Sequence, residues 1–213
     1  MELRLLGPIE ARLGDRTLHL GARKQRAVLA MLGLQANRTV SIDRLAEGVW
    51  GDEPPPSAPK MVQLYVSQLR RALDGNGAAI VTHGRGYELR LAAGEVDTTR
   101  FEELVEEGRA REALALWRGE PLADVADEPF AAAEIRRLEE LRLRAHELAI
   151  DADLAAGRHA DVIGELEALV AAPRSTCVRP KRRRRRLPRV RRRSAAVAAR
   201  HWWSLRCSRS RPA

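Results

Sequence analysis

The chain has 213 residues, of which 45% are hydrophobic and only 4% aromatic, so any core must rest on aliphatic side chains. The net charge of +9 is unevenly spread: residues 1–93 carry +4 (13 Lys and Arg against 9 Asp and Glu), residues 94–173 carry −11 (9 against 20), and residues 174–213 carry +16 (16 against none). These differences predict three units, and because the sequence has neither an apolar window long enough to span a membrane nor a signal-like start, we expect a cytoplasmic protein.

The first twenty residues alternate between apolar and polar side chains, which is the period of half-buried strands. Turn-forming pairs interrupt the alternation at Gly7-Pro8 and at Gly14-Asp15. The pattern therefore predicts two or three short antiparallel strands. Their apolar positions are Leu3, Leu5, Ile9, Ala11, Leu13, Leu18 and Leu20.

Three helices and a hairpin are predicted next. The first helix spans about residues 22–35, the second follows Ser41, which is a good N-cap, and the third runs from near Ser57 to Leu73. Residues 79–82 and 87–91 then form a β-hairpin whose tip is His83-Gly84-Arg85-Gly86.

The third helix carries the most informative surface. Val62, Val66, Leu69 and Leu73 form its apolar seam, and the opposite face carries long hydrogen-bond donors with almost no acid. Such a face suits a DNA major groove, because Lys and Arg neutralise phosphates and Gln pairs with adenine edges. Arg85 at the hairpin tip could reach the DNA backbone or a minor groove. A merely solvated helix face is the alternative interpretation of the same composition.

The order of these motifs resembles a known family. Residues 24–32, 41–51 and 66–73, together with Gly84-Arg85-Gly86-Tyr87, resemble the OmpR-type winged helix. Placed first in the chain, this arrangement is similar to the SARP type of antibiotic-pathway regulator. The resemblance implies an α+β winged helix-turn-helix with a leading antiparallel sheet over residues 1–93, and two protomers bound head to tail on direct repeats of double-stranded DNA.

The same resemblance implies a set of DNA-contacting positions on the third helix. For two positions of the third helix, Leu64 and Tyr65, the sequence leaves open whether the side chain faces DNA or the core. With Arg71 and the wing residue Arg85 added, the predicted DNA-binding residues are Lys60, Gln63, Tyr65, Ser67, Gln68, Arg70, Arg71 and Arg85.

The second predicted domain, residues 97–173, shows helical periodicity over residues 98–171. It includes a long helix over about 129–156 with Phe130, Leu138, Leu141, Ala145, Leu148 and Ala152 inward. This segment resembles the bacterial transcriptional activation domain of the SARP type. The resemblance implies an all-α, TPR-like domain that contacts the partner protomer and RNA polymerase. Since that domain normally continues for several helices beyond Pro173, we expect it to be partial here. A domain kept soluble by its acidic surface is the alternative interpretation.

Residues 174–213 contain no acid and long arginine runs, and we expect them to be disordered. One hypothesis is an arm that binds nucleic acid non-specifically. Another is a frameshift: read from the third codon base of His201, the codons of His201-Trp202-Trp203-Ser204 give Leu-Val-Glu when Ser204 is encoded by AGC or AGT. The family's missing helix typically carries Leu-Val-Glu at about this distance.

No enzyme class is favoured, because the sequence contains no Gly-x-Ser-x-Gly, phosphate-loop or His-Glu-x-x-His motif. The two cysteines, Cys177 and Cys207, have no nearby metal ligands, so we expect neither a metal nor a cofactor. The sequence predicts a sequence-specific activator of a secondary-metabolite gene cluster. The alternatives are a truncated copy that binds DNA without recruiting RNA polymerase, and an acidic helical interaction module.

Overall fold

The computed structural model describes residues 1–73, 79–159 and 162–164. Three antiparallel strands, β1 (Glu2–Arg4), β2 (Glu10–Leu13) and β3 (Arg16–Thr17), form a sheet in the order β1-β2-β3. Leu3 faces Ala11 across the first pair, and both side chains are fully buried, which confirms the predicted alternation. Leu13 is 40% exposed because it lies at the end of its strand, outside the core.

Helices α1 (Arg23–Leu34), α2 (Ile42–Trp50) and α3 (Ala58–Leu73) lie where the periodicity predicted them. Ser41 caps α2, since its hydroxyl accepts a hydrogen bond from the backbone N–H of Arg44 at 3.2 Å. The four seam residues of α3 are all buried in one core with the inward faces of α1 and α2. This common core fixes the outward face of α3.

The hairpin consists of β5 (Ala79–His83) and β6 (Gly86–Arg90), with Thr82 opposite Tyr87. A third strand, β4 (Val40–Ser41), pairs with the other edge of β6, so the sheet order is β4-β6-β5. The sequence did not predict β4, because two residues are too few to show a period of two.

The second part of the chain is helical, as predicted. It contains α4 (Asp97–Glu106), α5 (Ala110–Leu114), a 3-10 turn (Ala123–Val125) and α6 (Ala131–Ala155). Phe101 and Leu138 belong to its core, and Trp117 packs edge-on against Phe101 with ring centroids 5.7 Å apart. Among the described residues, no helix is long and apolar enough to cross a membrane.

The inward face of α6 was predicted wrongly over its last turns. Leu148 is 38% exposed and Ala152 is exposed, whereas Ala149 and Asp153 are buried. Asp153 belongs to the inner face because Arg111 and Arg158 both donate to its carboxylate, and an acid in this position is invisible to an apolar pattern.

Beyond α6, the chain turns at Gly157, as predicted, and Val162 is buried whereas Ile163 is exposed. The predicted helix positions Leu166 and Val170 lie outside the described residues, and so does the segment 174–213 with its proposed disorder and frameshift.

The two parts share their cores. Leu6, directly after β1, packs with Phe101 and Leu138. Conversely, Leu122 and Val125 belong to the core formed by α1, α2 and α3. The two parts therefore pack against each other through buried residues of both cores.

Candidate nucleic-acid interface

The buried seam of α3 dictates which residues point away from the protein. At 100° per residue, Lys60, Leu64 and Arg71 lie within about 30° of the direction opposite the seam. Gln68 and Ser67 lie about 50° from that direction and Gln63 about 90°. In the structure, Lys60, Leu64 and Arg71 are exposed, as these angles require. Gln63 is exposed as well, and Ser67 and Gln68 are half-buried.

This outward surface, which we call the donor face, consists of Lys60, Gln63, Leu64, Ser67, Gln68 and Arg71. No Asp or Glu occurs anywhere from Pro54 to Leu73, so the helix carries no acid that would repel a phosphate. Leu64 is the one apolar member of the donor face, and it is 52% exposed. Charge and hydrogen-bonding capacity thus match an anionic partner that presents acceptors.

Arg70 lies on one flank of α3 and contacts the wing. Its Nε donates to the carbonyl oxygen of Ile80 at 2.8 Å, and its Nη2 donates to Oγ1 of Thr82 at 2.7 Å. The guanidinium also lies 5.7 Å from the ring centre of Tyr87. The structure therefore places this predicted DNA ligand between α3 and the hairpin, where it holds the two elements together.

Tyr65 lies on the opposite flank, and of the two orientations left open by the sequence the structure shows the one toward the core. Its ring stacks on Trp50 with centroids 6.4 Å apart and an interplanar angle of 10°. Lys24 covers the Trp50 ring at 4.6 Å and donates to the carbonyl oxygen of Val49 at 3.1 Å. This stack supports one flank of α3 and stays separate from the donor face.

The wing tip presents Arg85, whose side chain is 85% exposed. The turn is made possible by Gly84, which adopts a φ of +53°. The tip is tied to the helices because the N–H of Ile42 donates to the carbonyl oxygen of Arg85 at 2.9 Å. Arg85 also lies 3.9 Å from the exposed carboxylate of Asp43, a distance at which the ion pair is weak.

An acidic side chain behind the tip is neutralised locally. Glu88 contacts His83 at 2.6 Å and accepts from Arg90 at 2.9 Å. The hydrogen bond from Arg90 lowers the pKa of Glu88 below its ordinary value. Glu88 therefore stays ionised beside Arg90, and its charge adds little repulsion toward a bound phosphate.

Sequence reasoning missed the side chain that joins the two parts of the chain. Asp97, at the start of α4, accepts from the backbone N–H groups of Leu5 at 2.7 Å and Leu6 at 2.9 Å. Arg118 lies 3.9 Å from the same carboxylate and donates to the carbonyl oxygen of Pro8. Burial nevertheless raises the pKa of Asp97 to about 6, since desolvation outweighs these favourable contacts. The signal in the sequence that could have identified Asp97 is its place as an acid at the start of a helix, directly after the hairpin.

Comparisons with known proteins agree with this arrangement. Residues 15–89 match the family model described as transcriptional regulatory protein, C terminal, and residues 96–174 match the bacterial transcriptional activator domain. The regulatory protein DnrI of Streptomyces peucetius is 37% identical, over 80% of this chain and 71% of DnrI. The regulatory protein AfsR of Streptomyces coelicolor is 39% identical, over 79% of this chain but only 18% of AfsR.

A solved structure is similar as well. EmbR of Mycobacterium tuberculosis, in complex with a low-affinity phosphopeptide, superimposes with a TM-score of 0.71 at 33% identity, over 79% of this chain and 49% of EmbR. The chain thus spans most of DnrI, about half of EmbR and a minor part of AfsR.

Proposed function

The chain belongs to the SARP family of bacterial transcriptional regulators, and we propose that it binds double-stranded DNA sequence-specifically with α3 in the major groove. The main support for this proposal is the donor face, with its outward orientation, its positive charge and its hydrogen-bonding side chains. A helix with its side chains is about 10–12 Å wide and the major groove is about 12 Å wide, so α3 fits with this face toward the base edges.

Each part of the proposed interface has a distinct chemical task. Lys60 and Arg71 supply positive charge at the outermost position of α3, for phosphates or guanine edges. Gln63 and Gln68 offer the paired donor and acceptor that recognise adenine. Arg85 extends the contact from the wing to the backbone or the adjacent minor groove. Arg70 positions the wing, and Tyr65 supports α3 through Trp50.

We further propose that two copies bind direct repeats and that the helical part contacts RNA polymerase, which makes the protein an activator of a biosynthetic gene cluster. The match of residues 96–174 to the bacterial transcriptional activator domain supports the activating role. The membership in the SARP family supports the direct repeats and the biosynthetic target.

Selection from random duplexes tests the DNA proposal. The full chain should enrich a motif, and the affinity for that motif should exceed the affinity for scrambled DNA by 10³-fold or more at physiological salt. Arg71→Ala should weaken binding to the motif about 10-fold or more, within the range of one base contact. Arg136→Ala is the matched control, because Arg136 is an exposed arginine on α6, away from the donor face.

Two results would contradict the proposal. One is that no motif is enriched and motif and scrambled duplexes bind alike, since the charge of the chain alone would then explain the affinity. The other is that Arg71→Ala and Arg136→Ala have equal effects. Transcription in vitro from a promoter containing the motif tests activation separately, because DNA binding without stimulated transcript would refute only the polymerase contact.

A further inference from the structure

Leu64 is the apolar exception on the donor face. It is 52% exposed and points within about 10° of the direction opposite the buried seam. Its neighbours one turn away are the polar residues Lys60, Ser67 and Gln68 and the half-buried Met61. Leu64 does not belong to the buried core of the protein, and its exposed apolar surface is unfavourable in water.

The major groove offers one methyl group to an apolar side chain. It is the C5-methyl group of thymine, whereas the nitrogen and oxygen atoms of the base edges are hydrogen-bond donors or acceptors. We propose that Leu64 contacts the C5-methyl group of a thymine and so determines specificity for that base. This proposal rests on the proposed function, since it requires α3 to lie in the major groove.

The neighbourhood of Leu64 also predicts where the thymine lies. Gln68 follows Leu64 by four residues, so the two side chains project from the same strip of the helix, about 5–6 Å apart at Cβ. Gln is suited to adenine, and successive bases are separated by about 3.4 Å. The thymine should therefore lie within one or two base pairs of the adenine that Gln68 contacts, in an A·T-containing part of the half-site.

Replacing thymine by deoxyuridine removes only the methyl group and leaves the protein unchanged. Each thymine of the motif selected by the full chain is replaced singly, and the affinity is measured in the presence of competitor DNA. One thymine in each half-site should respond with about a four-fold loss, the factor expected for a single methyl-sized apolar group. Leu64→Ala should weaken binding to the thymine duplex and lose the difference between thymine and deoxyuridine at that position.

The matched control is Leu143→Ala, because Leu143 is a similarly exposed leucine, at 55%, on α6. This variant should keep both the affinity of the wild type and its sensitivity to the methyl group. The inference is overturned if no thymine of the motif responds to deoxyuridine, or if Leu64→Ala keeps the full difference. A selected motif with no methyl effect would refute this inference and leave the proposed function standing, whereas failure to select any motif would refute both.

Discussion

The buried carboxylate of Asp97, which connects the two parts of the chain, leads to a quantitative prediction about how the free energy of unfolding depends on pH. The carboxylate is only 4% exposed, and two backbone N–H groups donate to it. Burial raises its pKa from 3.8 to about 6, which means that ionisation costs the folded state on the order of 3 kcal/mol relative to the unfolded chain. The folded protein therefore binds this proton more tightly than the unfolded chain does.

The sign of the effect follows from that difference. Between pH 4 and pH 6 the folded state holds a proton that the unfolded state has released, so the free energy of unfolding must fall as the pH rises. The contribution from Asp97 is fully present only well below the unfolded pKa of 3.8, is lost as the pH rises through about 6 and is constant above about pH 7. Other acids oppose this trend, since hydrogen bonds from arginine lower the pKa of Glu112 and Asp153.

Asp97→Asn isolates the contribution, because the other acids titrate equally in both proteins. Denaturant unfolding of both chains at several pH values gives the difference between their free energies of unfolding. We expect the stability of the wild type relative to the variant to fall by about 2 kcal/mol from pH 4 to pH 7. A difference that is constant, or that grows with pH, would show that the two N–H donors and Arg118 favour the ionised carboxylate and would refute the argument.

Three further predictions concern the support of the donor face. Arg70→Ala should lower the free energy of unfolding by about 1–2 kcal/mol and weaken binding to every duplex, whereas Arg71→Ala should leave stability unchanged; equal thermal stability of the two variants would contradict the wing contact. Lys24→Met should lower the free energy of unfolding by about 1 kcal/mol, because the Lys24 ammonium covers the Trp50 ring and donates to the carbonyl oxygen of Val49 near the end of α2. Lys24→Arg should restore part of this loss. An unchanged melting temperature of Lys24→Met would refute the argument. Gly86→Ala should destabilise the fold and weaken DNA binding, since its Cβ would lie 2.8 Å from the carbonyl oxygen of Val40; a wild-type melting curve would contradict the close approach.

Much of the fold could be predicted because burial imposes a period on the sequence. The seam of α3 spans four helical positions that are all apolar, and Ser41 signals the start of α2 through its hydroxyl. The donor face follows from the same seam, since the positions opposite it must point outward. The turn between β5 and β6 is equally local, because glycine at the tip permits the required φ.

Interactions that depend on the meeting of distant residues could not be predicted in this way. Periodicity shows that Arg70 leaves the core but not that it reaches the wing, because its long side chain can follow several directions. Asp97 and Asp153 are buried only because their partners come from other elements, and polar residues are ordinarily assigned to the surface. For the same reason the sequence could not decide whether Tyr65 points toward DNA or toward the core, since its orientation depends on Trp50 of a different helix.

The contacts between the two parts of the chain determine the position of the helical part relative to the proposed DNA-binding part. Leu6 inserts into the helical core, the N–H of Leu122 donates to the carbonyl oxygen of Leu5 at 2.9 Å, and Val125 packs into the core behind α3. A hinge would need few buried contacts and exposed backbone at the junction. Here the backbone groups after β1 are instead satisfied by Asp97 and Leu122, so the helical part is held in a defined position relative to the first sheet and the core of the first part. If the helical part contacts a polymerase as proposed, that contact would occupy a fixed place relative to the DNA motif, and the spacing between motif and promoter should affect activation.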